Sequence, residues 1–133
     1  MSRQIFLNLP VADLSKAKAF YEALGFSINA GYTDDQAACV VMGDGLHAML
    51  HTHESLRRFT TKDICDPRSS VQVLMAIQVE SRAKVDRLAA AAVANGGATP
   101  RPSQDHGFVY YHAFEDLDGN TWEPMWLNPG ASA

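Results

Sequence analysis

Phe114-Glu115-Asp116-Leu117-Asp118-Gly119-Asn120-Thr121-Trp122-Glu123-Pro124-Met125-Trp126 is the stretch on which the fold turns. It follows an aromatic-rich run, Phe108 to Phe114, that reads as a strand. Asp118-Gly119 then suits a tight turn, because glycine accepts positive φ and aspartate can bond its own backbone. The chain returns as a second strand. Strand side chains alternate, so Thr121, Glu123 and Met125 share one face, and Trp122 and Trp126 the other. Glu123 thus sits among bulky apolar neighbours. It is either on the solvated face of an edge strand or on the wall of a site.

The surrounding chain bounds the choice. Its 133 residues suit about one domain, and 47% apolar residues are enough for a sizeable core. A formal charge of −4 argues against a nucleic-acid partner, since Arg57, Arg58 and Lys62 are too few to make a basic stripe. Cys39 and Cys65 have neither CxxC spacing nor the look of a disulfide framework, which fits a reducing compartment. Signal-peptide patterning and a run of about 18 apolar residues are both missing, so the expectation is a cytoplasmic protein with no membrane partner.

Two similar halves emerge along the chain. Gln4 to Leu9 is the length of a buried strand. Asp13 caps a helix running to about Leu24, with Ala17, Phe20, Tyr21 and Leu24 at helical spacing and Gly25 placed for a left-handed stop. Strands are expected at Phe26 to Tyr32, Ala37 to Met42 and Leu46 to His51, with turns at Asp34-Asp35 and Asp44-Gly45. After a polar stretch, Val71 to Val79 reads as a strand. Ser81 caps a second helix that ends at Asn95-Gly96-Gly97. Ala98 to Arg101, Phe108 to Phe114 and Thr121 to Leu127 are three further strands. The order βαβββ therefore occurs twice, at a period of roughly 65 to 70 residues, as an internal duplication would produce. The expected organisation is a first module at 1–53, a connector at 54–70 and a second module at 71–133, in one compact domain. Aligning Val11 with Val79 sets Phe6 against Leu74, Asn8 against Ala76 and Met49 against Glu123.

With these motifs in place, the chain resembles the vicinal oxygen chelate superfamily, which includes glyoxalase I, the bleomycin and fosfomycin resistance proteins and the extradiol dioxygenases. The resemblance rests on Leu9-Pro10-Val11-Ala12-Asp13-Leu14, on Ala19-Phe20-Tyr21-Glu22-Ala23-Leu24-Gly25-Phe26, and on the closing Phe114 to Glu123. It spans about residues 3 to 128. It implies an α+β fold of two βαβββ modules whose curved mixed sheets form a cup. It also implies a divalent metal held at four positions, which here are Phe6, Met49, Leu74 and Glu123. Only Glu123 is a good ligand for a hard or borderline cation, so no metal cofactor is expected. A rebuilt site stays open, using Glu123 with His51, His53 or His112. His47 and His51 cannot share one ion, because four strand residues separate them by about 13 Å.

A cup without that metal would be lined by Phe6, Met49, Leu74, Phe114 and Met125, with Asn8, His47, His51 and Glu123 as polar handles. This composition suits a small organic ligand. Glu123 is the candidate general base or ligand anchor. Two activities follow: a binder of a small molecule, or a diverged lyase or isomerase related to lactoylglutathione lyase, using Glu123 to move a proton beside a carbonyl. A homodimer is expected from the architecture. Cys39, inside an apolar run, reads as a small core residue. Tyr110 and Tyr111 point to opposite faces in an order that alternation leaves open.

Overall fold

In a computed structural model, which describes residues 2–131, the chain divides between Asp66 and Pro67 into two units. The first contains β1 (Ile5–Pro10), α1 (Leu14–Ala23), β2 (Ser27–Asn29), a 3-10 turn (Ala30–Tyr32), β3 (Ala37–Gly43), β4 (Leu46–His51) and the short α2 (His53–Leu56). Its sheet runs β1-β4-β3-β2, with β1 parallel to β4 and the other pairs antiparallel. The second contains β5 (Leu74–Gln78), α3 (Arg82–Ala94), β6 (Gln104–Asp105), β7 (Val109–Tyr111), β8 (Phe114–Glu115) and β9 (Thr121–Leu127). Its sheet runs β5-β9-β7-β6, and β8 also pairs with β9. Both sheets are curved and mixed, and the class is α+β, as expected. The expected module ends at residues 1, 132 and 133 lie outside the described residues.

Each helix begins and ends where local chemistry demands. Asp13 accepts from the N–H of Lys16 at 3.0 Å, and Ser81 does the same for Lys84. Both satisfy donors that the first helical turn leaves open. Gly25 closes α1 at φ +100°, and Gly96 follows α3 at φ +96°. Ala17, Phe20 and Tyr21 of α1 are buried with Leu9, Ala38, Val40, Ala48 and Leu50 of the sheet. In the second unit, Val85, Leu88, Ala89 and Ala92 of α3 are buried, as are Tyr110, Phe114, Trp122 and Pro124. Full burial of side chains this large is worth about 1.5–3 kcal/mol each, which is why one helix suffices to close one face of each sheet.

The repeat is visible in the register. Asn8 lies beside Met49 in the first sheet, and Ala76 lies beside Glu123 in the second. Phe6 pairs with His47 and Leu74 with Thr121, two residues back in each case.

The second half departs from expectation in its strands. Ala98 to Arg101 is not a strand, and Ala98 makes only an isolated bridge to Glu115. Pro100 and Pro102 lack N–H groups and cannot sustain a ladder there. The single strand expected from Phe108 to Phe114 is split into β7 and β8. Its break lies opposite Pro124: the His112 N–H reaches the Pro124 carbonyl at 3.4 Å, but Pro124 has no N–H to return. Two other strands are shorter than their apolar runs. Phe26 to Tyr32 yields strand only over Ser27–Asn29, after which Asn29 caps the 3-10 turn, and Val71 to Val79 yields Leu74–Gln78.

The turn after β8 is organised by Asp116, a residue the sequence reading passed over in favour of Asp118. Asp116 is buried, and its Oδ1 accepts from the N–H groups of Asp118 and Asn120, each at 2.9 Å. Its Oδ2 accepts from Asn120 Nδ2 at 2.9 Å. Gly119 completes the turn at φ +93°.

Candidate functional site

In each unit the sheet face turned away from its helix carries the expected site residues other than Phe114, and each face is described by itself. On the first, alternation and register place Phe6, Asn8, His47, Met49 and His51 together with Cys39. Phe6 is 41% exposed, and its ring stacks on His47 with centroids 4.4 Å apart and planes 10° from parallel. An open hollow of about 610 Å³ lies here, lined by Phe6, Gly31, Tyr32, Thr33, Asp34 and Met49. Tyr32 is 63% exposed. The segment 31–34 was missed in the sequence, where its only signal was an aromatic residue between a strand end and an Asp-Asp turn.

His47 and His51 are held differently. His47 Nε2 donates to Gln4 Oε1 at 2.9 Å, and its Nδ1 faces Cys39 Sγ at 3.8 Å. His51 is 3% exposed and has both ring nitrogens engaged. Its Nε2 donates to Asn8 Oδ1 at 2.7 Å, so its Nδ1 accepts from the Ser55 hydroxyl at 2.8 Å. This chain of bonds ties β1, β4 and α2 together through a neutral imidazole. Ser55 is itself buried, so the arrangement is a clamp and not an accessible nucleophile.

Burial holds the His51 pKa below its ordinary value of 6.5, partly opposed by the charge of Asp34. The unfolded chain then binds a proton that the folded chain refuses. This contribution to stability is fully present above about pH 6.5 and is lost as the pH falls from there through the lowered folded pKa. Urea midpoints measured between pH 7.5 and 5 should therefore fall, and His51→Gln should flatten that part of the profile. An unchanged slope in the variant would assign the loss to other groups.

On the second sheet, Leu74, Ala76, Thr121, Glu123, Met125 and Tyr111 share a face. Glu123 is half-buried, and its carboxylate has no hydrogen bond or ion pair among the described residues. Leu74 is 55% exposed. Phe114 requires a correction. It pairs with Trp122, so it lies on the face opposite Glu123 and is buried there. The same parity decides the tyrosines. Tyr110 faces α3, where its hydroxyl donates to Asp86 Oδ1 at 2.5 Å, and Tyr111 joins the Met125 face.

The donor set does not fit the divalent ion that this architecture implies. Phe6 and Leu74 offer no lone pair, and Met49 offers a thioether. Of the alternative ligands, His51 is spoken for on both nitrogens, and His112 Nε2 donates to the Arg101 carbonyl at 3.0 Å. His53 is exposed at the start of α2. Among the described residues, no group of three or more His, Cys, Asp or Glu is arranged to hold a metal.

Residues 3–43 match the family model described as bleomycin resistance protein-like N-terminal. No curated protein sequence matches. Among solved structures, a hypothetical protein from S. aureus is similar at a TM-score of 0.80 and 25% identity, over 95% of this chain and 95% of that one. A glyoxylase/bleomycin resistance protein/dioxygenase domain from Frankia sp. EAN1pec is similar at a TM-score of 0.71 and 26% identity, over 98% and 96%. A glyoxalase-related enzyme from Fulvimarina pelagi shares the fold at a TM-score of 0.78 and 21% identity, over 97% and 90%.

Proposed function

Since the chain belongs, by its fold and its N-terminal segment, to the vicinal oxygen chelate superfamily, we propose that it binds a small organic molecule on an apolar sheet face. The observation that carries this reading is the hollow lined by Phe6, Tyr32 and Met49, which brings two exposed aromatic residues and a thioether to one concavity. Exposed aromatic surface at a concavity, with a few polar groups at its edge, is the usual make-up of a ligand site. Glu123, an unpaired carboxylate between Thr121 and Met125, is the proposed polar anchor of the second unit's face. On the first unit's face Phe6 and Met49 supply apolar contact, and Asn8, His47 and His51 hold the wall in shape; on the second's, Leu74 and Met125 supply it.

Titration with an environment-sensitive hydrophobic dye tests the proposal. Phe6→Ala should weaken dye binding about tenfold or more, the equivalent of losing one buried phenyl contact. Dye binding equally tight in Phe6→Ala and Tyr32→Ala proteins would remove the hollow from the argument.

The unpaired state of Glu123 supports a second reading, a glyoxalase-like lyase or isomerase in which this carboxylate abstracts a proton beside a carbonyl. Proton abstraction of that kind needs a group to stabilise the enolate, and Leu74, Ala76 and Met125, which share the face of Glu123, carry no hydrogen-bond donor in their side chains. The binder is therefore the preferred reading. Turnover of a hemithioacetal, lost in Glu123→Gln, would reverse that preference.

We further propose that the chain forms a homodimer, because Phe6, Tyr32, Val73 and Leu74 are exposed apolar side chains that a second copy would cover, and a symmetric dimer is the commonest small assembly. Light scattering decides the point. Two free thiols, one of them exposed at Cys65, suit a reducing cytoplasm. No helix among the described residues is long and apolar enough to cross a membrane.

A further inference from the structure

Cys39 and Met49 are direct partners across β3 and β4, and His47 is two residues before Met49 on the same face. The Cys39 thiol and the His47 imidazole meet at 3.8 Å between Sγ and Nδ1. His47 is held for this encounter from two sides. Its Nε2–H is committed to Gln4, which leaves the Nδ1 lone pair directed at the sulfur, and the stacked ring of Phe6 fixes its plane.

From this juxtaposition we propose that Cys39, His47 and Met49 form a site for one soft, monovalent, thiophilic ion of the Cu(I) type. The site shares only Met49 with the hard-ion positions discussed above, where its thioether is a poor ligand.

Three physical arguments support it. Metal–sulfur and metal–nitrogen bonds of about 2.3 and 2.1 Å place their two donor atoms about 3.6–3.8 Å apart at tetrahedral to trigonal angles. The observed separation already lies at that value, so the ion takes the place of the thiol proton with little movement. The donor types agree as well, since thiolate and thioether select Cu(I) over Mg, Ca or Mn, and imidazole accompanies them readily. Charge completes the case. Cys39 is wholly buried, and a thiolate with a monovalent cation is a neutral pair, whereas a divalent ion would leave one buried charge uncompensated.

Binding is an exchange without electron transfer. The S–H bond breaks, its proton leaves to solvent, and the sulfur lone pair so freed bonds the ion. His47 is the route inward, because it also lines an open hollow of about 560 Å³ with Arg3, Gln4, Val41, Gly43 and Asp44.

Silver(I), which does not change oxidation state, is the probe. Titration is carried out on full-length protein carrying Cys65→Ser, to remove the exposed thiol, and followed by thiolate-to-metal ultraviolet absorption and by the unfolding temperature. One equivalent should bind, raise the unfolding temperature and resist a large excess of Mg(II) or Mn(II). In competition against dithiothreitol, Met49→Leu should weaken binding about tenfold, and His47→Gln by more. Cys39→Ser should abolish it. Met49→Leu changes neither volume nor polarity much, so it keeps the test decisive even if Cys39→Ser folds poorly. Affinity unaltered in both Met49→Leu and His47→Gln would reduce the site to an ordinary thiol and overturn the proposal, as would displacement of silver by the hard ions.

Discussion

Asp116→Ala is expected to destabilise the protein by about 3–5 kcal/mol in urea unfolding, because it strips at least three hydrogen bonds from one buried turn. Its carboxylate serves the N–H groups of Asp118 and Asn120 and the Asn120 amide. Leaving a buried donor unmet costs about 1–3 kcal/mol, more than the net worth of the bond itself. Asp116→Asn should cost less, since one oxygen survives, but its new NH2 opposes the Asn120 amide donor. The functional consequence is larger than the local one. This turn connects β8 to β9 and sets which residues of β9 face away from α3. A slip of one residue would bury Glu123 and expose Trp122. Glu123 would then leave the face on which it is the proposed anchor. A loss below about 1 kcal/mol would mean that water enters the turn and replaces the carboxylate.

Gly119→Ala should cost about 2–4 kcal/mol by the same measurement, combining backbone strain with a clash. Gly119 has φ +93°, and an added Cβ would lie 2.7 Å from the Arg68 backbone nitrogen and 2.8 Å from its Cα. Backbone atoms cannot swing aside as a side-chain terminus can. Gly107→Ala is the control. It shares the left-handed conformation at φ +81° but has open space around the new methyl, so about 1 kcal/mol of strain is all it should lose. The difference between the two variants isolates the approach of residue 68 to the turn. Equal losses would show that Arg68 yields without cost.

Much of this protein was legible from local pattern. The spans and caps of α1 and α3 follow from residues within one or two turns of each other, at Asp13, Gly25, Ser81 and Gly96. The two faces of β9 follow from alternation alone, which placed Glu123 with Thr121 and Met125 and set Trp122 apart. Phe114 was misplaced although the sequence held the means to place it. Antiparallel pairing around the Asp116 turn sets 114 against 122 as surely as 115 against 121. The split of β7 from β8 was also written in Pro124, whose missing N–H acts on the neighbouring strand.

What the chain order determined by itself is the duplicated βαβββ pattern, its register, and the hydrocarbon that stands where ligands for a hard metal would be needed. Those properties depend on periodicity and on the chemistry of single side chains, and both are present before the chain folds. Only the tertiary structure decided that His51 would be locked between Asn8 and Ser55, that His47 would be aimed at Cys39 by Gln4, and that Tyr32 would flank Phe6 at a hollow. Asn8 and His51 are 43 residues apart, as are Gln4 and His47. A hydrogen bond across that span depends on how β1 and β4 come together side by side, and no local rule names the partner in advance.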